Sequence, residues 1–265
     1  MRFVVGLWLL FHTLLALAQA DPFPDVATAY WVEINSAPVW RKQSSRRLPP
    51  ASLTKLMTAL LVLEQGQLQV VATVSRAAAA ETGTRIGLKA GEKVQVQDLL
   101  AATLIASAND ACHALADAMA GNEARFVQRM NQRAAALSLH NTHFVNACGH
   151  DSVGHYSSAQ DLARLAHELI KYPLVTELSA KAAARITTLE DANSYEFKSS
   201  NALIGRYPGA IGLKTGYTPK AGKCLVAYVQ RGKTQVLLVL LHGKDRWWDA
   251  VDILDQAFER AHDPS

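Results

Sequence analysis

Apolar residues recur along this chain with two different spacings, and the spacing changes twice. Residues 28–34 are rich in β-branched and aromatic side chains, and a turn at 35–38 leads into a second short strand near Trp40. Between positions 98 and 180 the apolar residues recur every three or four positions, which predicts helices. Apolar strand-like runs return after Arg185. This order predicts strands at both ends of the fold and a helical block between them.

Start and stop residues place the individual elements. Cap residues, prolines and glycines mark where helices begin and end, and short apolar runs between turns mark strands. Pro173 is interpreted as the stop of one helix, and Arg231-Gly232 as the turn of an antiparallel hairpin. The predicted helices are 52–65, 99–105, 110–119, 122–137, 162–171 and 246–260. The predicted strands are 28–34, 39–40, 186–189, 211–215, 224–230 and 235–241.

These elements predict an α+β fold, in which an antiparallel sheet is flanked by helices and a mostly helical lobe, residues 98–180, is inserted between the strands. A cleft between two such lobes is the natural place for a substrate. The domain is expected to span residues 21–265, without a second β-rich domain. The last helix carries acidic residues on its polar face, so we expect no C-terminal membrane anchor.

The first twenty residues have the composition of a secretory signal peptide. Arg2 precedes a largely apolar run at 3–17, and Ala18-Gln19-Ala20 is a small-x-small cleavage sequence. The run is short for a membrane span, so cleavage before Asp21 is favoured over an uncleaved anchor. We therefore expect a protein that is secreted across the inner membrane and is soluble in the periplasm.

Charge and cysteine content exclude some classes of function. The chain has 27 basic and 23 acidic residues, and a basic cluster at 41–47 lacks interleaved aromatic residues, so no nucleic-acid partner is expected. Cys112, Cys148 and Cys224 are too few and too scattered for a disulfide framework or a Cys-rich zinc site. Cys112 and Cys224 are interpreted as buried small hydrophobes.

The segment Pro49-Pro50-Ala51-Ser52-Leu53-Thr54-Lys55 reads as a turn that leads directly into a helix. Ser52 and Lys55 are three positions apart, so on a helix they lie on one face. A serine at a helix N-terminus suits a site where an oxyanion forms, and an apolar wall beside Lys55 would let it act as a base. The alternative is that Ser52 only caps the helix while Lys55 extends to water.

Two further motifs favour a catalytic role of Ser52 and Lys55 over the capping alternative. Ser107-Ala108-Asn109 falls where one predicted helix breaks and the next begins, although Ser199-Ser200-Asn201 matches the same short pattern. Lys214-Thr215-Gly216 lies on an apolar strand, where a lysine and a hydroxyl can bind an anion and the glycine allows close approach of a ligand. The ordered set Ser-x-x-Lys, Ser-x-Asn and Lys-Thr-Gly is far more specific than any of its parts.

With these motifs the chain resembles the low-molecular-mass penicillin-binding proteins, the serine D-alanyl-D-alanine carboxypeptidases that trim peptidoglycan stem peptides. The resemblance extends over residues 28–258. It is carried by the stretches ASLTKLMTA (51–59), SANDAC (107–112), GHYSS (154–158) and GLKTGYTPKAG (212–222).

The resemblance implies a role for each catalytic residue. Ser52 would attack the carbonyl between two D-alanines, expel the last one and leave an acyl-enzyme for water to hydrolyse. Lys55 would be the base, kept neutral by its surroundings and by the second cation, Lys214. Ser107 would relay the proton to the leaving amine, and Asn109 would hold Lys55 and the substrate amide. β-Lactam antibiotics would acylate the same serine, and no cofactor or metal is implied.

The other site residues are implied to bind the substrate. Lys214 and Thr215 would bind the terminal carboxylate. Gly216 follows them and would let the ligand backbone come close. The backbone N–H groups of Ser52 and Tyr217 would form the oxyanion hole. Arg246 matches an arginine that helps to seat the carboxylate in relatives, but a surface arginine at a helix start is an equally good interpretation.

The chain also departs from the family pattern. Residues 146–150 read Asn-Ala-Cys-Gly-His where the family usually has Asn-Pro-x-Gly-Leu, so this loop is expected to differ in shape. Longer relatives add a β-rich domain and an amphipathic anchor, whereas some compact relatives cut peptidoglycan cross-links. D,D-endopeptidase activity is therefore the main alternative.

Three other classes of function are weighed against this interpretation. A serine β-lactamase would be expected to carry Glu-x-x-Leu-Asn between the second and third motifs, and that string is absent between Asn109 and Lys214. A metal enzyme is suggested by the crowd of histidines at 140–155, but their spacing fits no closed zinc set. A non-catalytic peptidoglycan-binding protein would not need the complete set of catalytic side chains.

Overall fold

The computed structural model describes residues 21–190 and 192–262. The expected signal peptide, residues 1–20, lies outside the described residues. Within the two described ranges, no helix combines the length and the apolar character that crossing a membrane requires.

A five-stranded antiparallel sheet forms the centre of the fold. Its strands are β1 (Ala27–Ile34), β2 (Ala37–Lys42), β7 (Ala210–Thr218), β8 (Gly222–Arg231) and β9 (Thr234–Gly243). The spatial order is β2-β1-β9-β8-β7, so the N-terminal hairpin joins the C-terminal strands and β7 lies at an edge. Val226 of β8 sits between Val239 of β9 and Lys214 of β7 in the register, which places the Lys-Thr-Gly motif on that edge strand.

Two small sheets and eight helices complete the described part of the chain. The small sheets pair β3 (Val71–Thr73) with β4 (Lys93–Gln95) and β5 (Ala183–Thr187) with β6 (Ser194–Lys198). The helices are α1 (Lys55–Gln65), α2 (Arg76–Ala79), α3 (Val96–Ile105), α4 (Asn109–Ala120), α5 (Glu123–Ala136), α6 (Ala159–Ile170), α7 (Pro173–Ser179) and α8 (Arg246–His262). Gly66 and Gly121 end α1 and α4 in the left-handed conformation, and Asn122 caps α5 through its side chain.

The central sheet is covered on both faces. Alternate residues of its strands point to opposite sides, so Val226 and Val239 belong to the core that includes α1, α3, α4 and α6, while Leu225 and Leu238 belong to the core that includes Ile253 and Leu254 of α8. The larger core continues into the helical block, and its apolar contacts surround α1. The helix that carries Lys55 is therefore held inside the protein on several sides.

The α+β class and the antiparallel sheet are confirmed, and two element predictions are wrong in detail. Helix α6 ends at Ile170, before Pro173, as predicted, and Pro173 then occupies the first position of the unpredicted helix α7, where its missing N–H costs nothing. The predicted strand at 186–189 is β5, which pairs with the unpredicted β6 and lies outside the central sheet. The helix predicted at 99–105 is α3, which begins three residues earlier, at Val96.

The packing of α8 predicts a specific loss of stability. Leu254→Ala removes a fully buried side chain from the core between α8 and the sheet, so we expect the free energy of unfolding to fall by about 2–5 kcal/mol. Gln256→Ala, an exposed position on the same helix, should change it by less than about 0.5 kcal/mol. Urea unfolding measures both, and equal effects would contradict the assignment of this face to the core.

Candidate active site

Ser52 lies in a 3₁₀ turn, Ala51–Thr54, directly before α1. The turn begins with Ala51 in a left-handed conformation, with a φ of 49°. The N-cap position of α1 is Thr54, and no side chain caps the helix. The Ser52 hydroxyl instead lies 2.9 Å from the Lys55 Nζ and remains partly exposed. This geometry excludes the capping alternative and presents the hydroxyl to a ligand.

The Lys55 amine is completely buried and has three polar neighbours. Besides Ser52 Oγ, its Nζ is 2.6 Å from Asn109 Oδ1 and 2.6 Å from the Cys148 carbonyl oxygen. Two of these neighbours can only accept a hydrogen bond, whereas the serine hydroxyl can also donate one. A neutral amine would therefore give its two N–H bonds to Asn109 and Cys148 and turn its lone pair to the Ser52 hydroxyl. This is the arrangement of a nucleophile with its base.

Burial lowers the pKa of Lys55 from its usual 10.5 to about 7. The apolar surroundings disfavour the charged form, and the negative charges of Glu81 and Asp110 oppose this effect only in part. A substantial fraction of the amine is therefore neutral near neutral pH.

The break between α3 and α4 supplies Asn109, as its sequence position predicted. The Asn109 side chain accepts from Lys55 and donates from Nδ2 to the Thr82 carbonyl at 2.6 Å, while its backbone N–H donates to the Thr84 carbonyl at 2.7 Å. One of the two N–H bonds of its amide group is thus used within the protein. Ser107 lies at the same break, largely buried and with a φ of 64°.

The Lys-Thr-Gly motif lies on β7, on the edge of the sheet. Lys214 is buried and donates to the Thr215 carbonyl at 2.8 Å, and burial with the charges of Lys55 and Arg246 lowers its pKa well below the usual range. Two lysines therefore influence each other electrostatically at this centre. The Thr215 hydroxyl is 2.8 Å from that of Ser200, which places Ser200 at the site although the sequence analysis gave it no role.

β7 runs directly against the turn that carries the serine. A Cβ added at Gly216 would lie 3.0 Å from the Pro50 carbonyl oxygen and 3.1 Å from the Ser52 backbone nitrogen, so a side chain there would crowd the turn. Tyr217 follows with a largely exposed side chain. Arg246 donates to the Gly216 carbonyl at 2.7 Å and so braces this strand; its predicted contact with a substrate carboxylate stays a prediction.

The loop at 146–150 contributes contacts that the sequence analysis missed. A Cβ added at Gly149 would lie 2.0 Å from the Ala51 carbonyl oxygen and 2.9 Å from the Ser52 nitrogen, and the residue has a φ of 92°. Asn146 Oδ1 accepts from the Gly149 N–H at 2.7 Å and so shapes the turn. Asn146 and Gly149 match the family pattern, and this match was the sequence signal that could have predicted these contacts.

The interpretation of Cys112 as a buried hydrophobic thiol is wrong. Cys112 of α4 and Cys148 of the loop form a disulfide, with a Cα–Cα distance of 5.9 Å, so Cys112 is not a free hydrophobic thiol. Their separation of 36 residues hides this pairing, because only the fold brings the loop onto α4. Cys224 is a buried free thiol, as predicted, and burial raises its pKa to about 11.

The histidines near this loop have protein partners. The neutral His155 ring accepts from the Val145 N–H at 3.0 Å and donates to Thr54 Oγ1 at 2.8 Å, and burial lowers its pKa to about 4. His150 and His113 both contact Glu81, at 2.7 and 2.6 Å. In the described ranges, His, Cys, Asp and Glu side chains form no group of three or more that could hold a metal ion.

A partly exposed serine beside a buried, neutralised lysine, at the junction of a sheet edge and a helical block, defines a serine enzyme of the acyl-transfer class. The sequence profile of the family described as D-alanyl-D-alanine carboxypeptidase matches residues 18–245. The chain belongs to this family.

Individual relatives agree with this assignment. The chain is 37% identical to the D-alanyl-D-alanine carboxypeptidase DacF of Bacillus subtilis, covering 89% of this chain but only 63% of the relative. It is 33% identical to the D-alanyl-D-alanine carboxypeptidase of Streptomyces sp. K15, covering 91% of this chain and 90% of the relative. The crystal structure of the Streptomyces K15 DD-transpeptidase superposes with a TM-score of 0.83 at 30% identity, over 89% of this chain and 98% of that one.

The contact between Gly149 and the serine turn can be tested with a matched pair of substitutions. Gly149→Ala forces the turn away from its position, so acylation of Ser52 by a fluorescent penicillin should slow at least about tenfold. Gly154→Ala has a similar positive φ of 82°, but its Cβ would meet nothing closer than 3.9 Å. It controls for backbone strain and should acylate at the normal rate. Equal loss in both variants would contradict a specific role of Gly149.

Proposed function

We propose that this chain removes the terminal D-alanine from peptidoglycan pentapeptide stems through an acyl-enzyme on Ser52, and that β-lactams acylate the same residue. The observation that carries the proposal is the buried Lys55 amine, 2.9 Å from a partly exposed serine hydroxyl and held by two acceptors. Family membership supports the substrate class.

The acylation step uses Lys55 as the base. As Ser52 Oγ attacks the carbonyl carbon of the penultimate D-alanine, its proton passes to the neutral Lys55 amine, which becomes an ammonium ion held by Asn109 and Cys148. When the tetrahedral intermediate collapses, the C–N bond breaks and the leaving amine takes up a proton, for which we assign Ser107 as the relay. Free D-alanine leaves and the acyl-enzyme remains.

The backbone around the serine supports stabilisation of the intermediate. The Ser52 nitrogen lies against the edge strand at Gly216, so the N–H groups of Ser52 and Tyr217 are proposed to bind the oxyanion. Thr215 and Lys214 are proposed to bind the terminal carboxylate, because a hydroxyl and an amine side by side at a sheet edge can both donate hydrogen bonds to an anion. Arg246 is proposed to contribute to the same subsite from its position beside Gly216.

One observation favours the endopeptidase alternative. A cavity of about 610 Å³ adjoins the Thr215 hydroxyl through Ser200, and its lining includes Lys198, Arg206 and Arg246. Such a space could accept a leaving group larger than alanine, and the three cations suit one that carries carboxylates. Cutting of cross-links therefore stays the second candidate activity.

The proposed site of action is the periplasm, reached by export of the chain with the signal peptide predicted at residues 1–20. The Cys112–Cys148 disulfide supports an oxidising compartment, since disulfides are rare in the cytosol.

Products distinguish the proposed activities directly. The purified protein is incubated with a stem pentapeptide and with cross-linked muropeptide dimers, and the products are identified by mass. We expect free D-alanine from the pentapeptide; monomers from dimers alone would support the endopeptidase instead. Ser52→Ala should abolish turnover and penicillin labelling, whereas the exposed control Ser45→Ala should keep both. Full turnover by Ser52→Ala would refute the mechanism.

The protonation state of Lys55 predicts the pH dependence. The amine acts as a base only when neutral, and its pKa is about 7, so the acylation rate should fall as the pH drops through that value. Lys55→Arg keeps a cation that cannot lose its proton, and should slow acylation by at least about 100-fold at every pH. The control Lys93→Arg, on the exposed side of β4, should keep the wild-type profile. An acid limb preserved in Lys55→Arg would show that another group is the base.

A further inference from the structure

We propose that the Cys112–Cys148 disulfide positions the Lys55 amine, so that the rate and the pH profile of serine acylation depend on whether this bridge is intact. The inference rests on the proposed function, because it concerns how the base of that reaction is held.

The bridge joins the two elements that hold the amine. Cys112 lies one turn after Asn109 on α4, and Asn109 Oδ1 is one acceptor of the Lys55 Nζ. Cys148 supplies the other acceptor through its own carbonyl oxygen, at 2.6 Å. Its sulfur also lies 3.7 Å from the Asn109 carbonyl oxygen. The disulfide therefore links the two segments that carry the acceptors of the Lys55 amine.

The other anchors of the loop act on different residues. Thr58 Oγ1 donates to the Ala147 carbonyl at 2.6 Å, and Glu123 accepts from the Ala147 N–H at 2.8 Å. Asn146 accepts from the N–H groups of Gly149 and His150. These bonds keep the loop near α1 and α5, while the side chain of residue 148 reaches α4 through the disulfide. The orientation of the Cys148 carbonyl is thus the feature that the bridge controls.

Opening the bridge changes the surroundings of Lys55 in a defined way. An external dithiol supplies two electrons and two protons, the S–S bond breaks, and two thiols form while the dithiol becomes a cyclic disulfide. Both cysteines are buried in close-packed surroundings, and two thiols need more room than a bonded pair, so residue 148 must shift. The amine then loses an acceptor that favours its charged form. Burial still opposes that form, and Glu81 and Asp110 still favour it.

The test compares acylation by a fluorescent penicillin, from about pH 5 to 9, in the oxidised protein, the dithiol-reduced protein and Cys112→Ala/Cys148→Ala. We expect the acid limb to move to lower pH by about half a unit or more, and the plateau rate to fall at least about threefold, in both unbridged forms. Reoxidation of the reduced protein should restore the original profile, which separates positioning from damage to the fold. Cys224→Ala should respond to the dithiol like the wild-type protein, which excludes the third thiol as the cause.

The outcomes separate this inference from the proposed function. If the oxidised protein takes no penicillin label, the proposed function fails. If it labels normally and the unbridged forms keep the same pH profile and rate, only the positioning role fails. A shift of the acid limb to higher pH would also overturn it, because it would mean that the bridge excludes water from Lys55 and does not hold an acceptor.

Discussion

Burial of the Lys55 amine is the constraint on which the rest of this structure depends. A lysine without water needs acceptors for every N–H it carries, and here they come from the start of α4 and from the 146–150 loop. Both segments must therefore meet α1 at one point. The apolar core around α1 excludes water there, and this exclusion lowers the pKa of Lys55 to about 7. The apolar packing around α1 therefore both stabilises the fold and lowers the pKa of Lys55.

The sheet contributes through its edge. β7 has one hydrogen-bonded neighbour in the sheet, β8, so its other side leaves backbone groups available toward the serine turn and the cleft. Gly216 lets that edge approach the Ser52 nitrogen closely, and Arg246 holds its carbonyl from the start of α8. Ser52 belongs to the helical side and the proposed carboxylate contacts to the sheet side, while the proposed oxyanion hole takes one N–H from each side, those of Ser52 and Tyr217. The order of the strands is therefore as important to the site as the motifs.

Much of this arrangement could be predicted from the sequence, but contacts between segments that are distant in the sequence could not. Ser52, Lys55 and Asn109 were found because their spacing and helix boundaries are local signals, and the structure brings them together at Lys55 Nζ. The third contact of the amine is a backbone carbonyl, which no side-chain pattern reveals. The disulfide was missed for a similar reason, since Cys112 and Cys148 meet only through the path of the loop.

Burial of the Lys55 amine also destabilises the folded protein over a defined range of pH. Folding lowers the pKa of Lys55 from 10.5 to about 7, so between these values the unfolded chain holds a proton that the folded chain lacks. The resulting destabilisation is complete below about pH 7 and disappears as the pH rises toward 10.5, at about 1.4 kcal/mol per unit of pKa shift. Lys214 shifts in the same direction and adds to it. At about pH 7, where part of the Lys55 amine is neutral, the folded protein therefore still bears nearly the whole cost of burying it. The large apolar core and the disulfide next to the amine stabilise the folded protein and offset this cost.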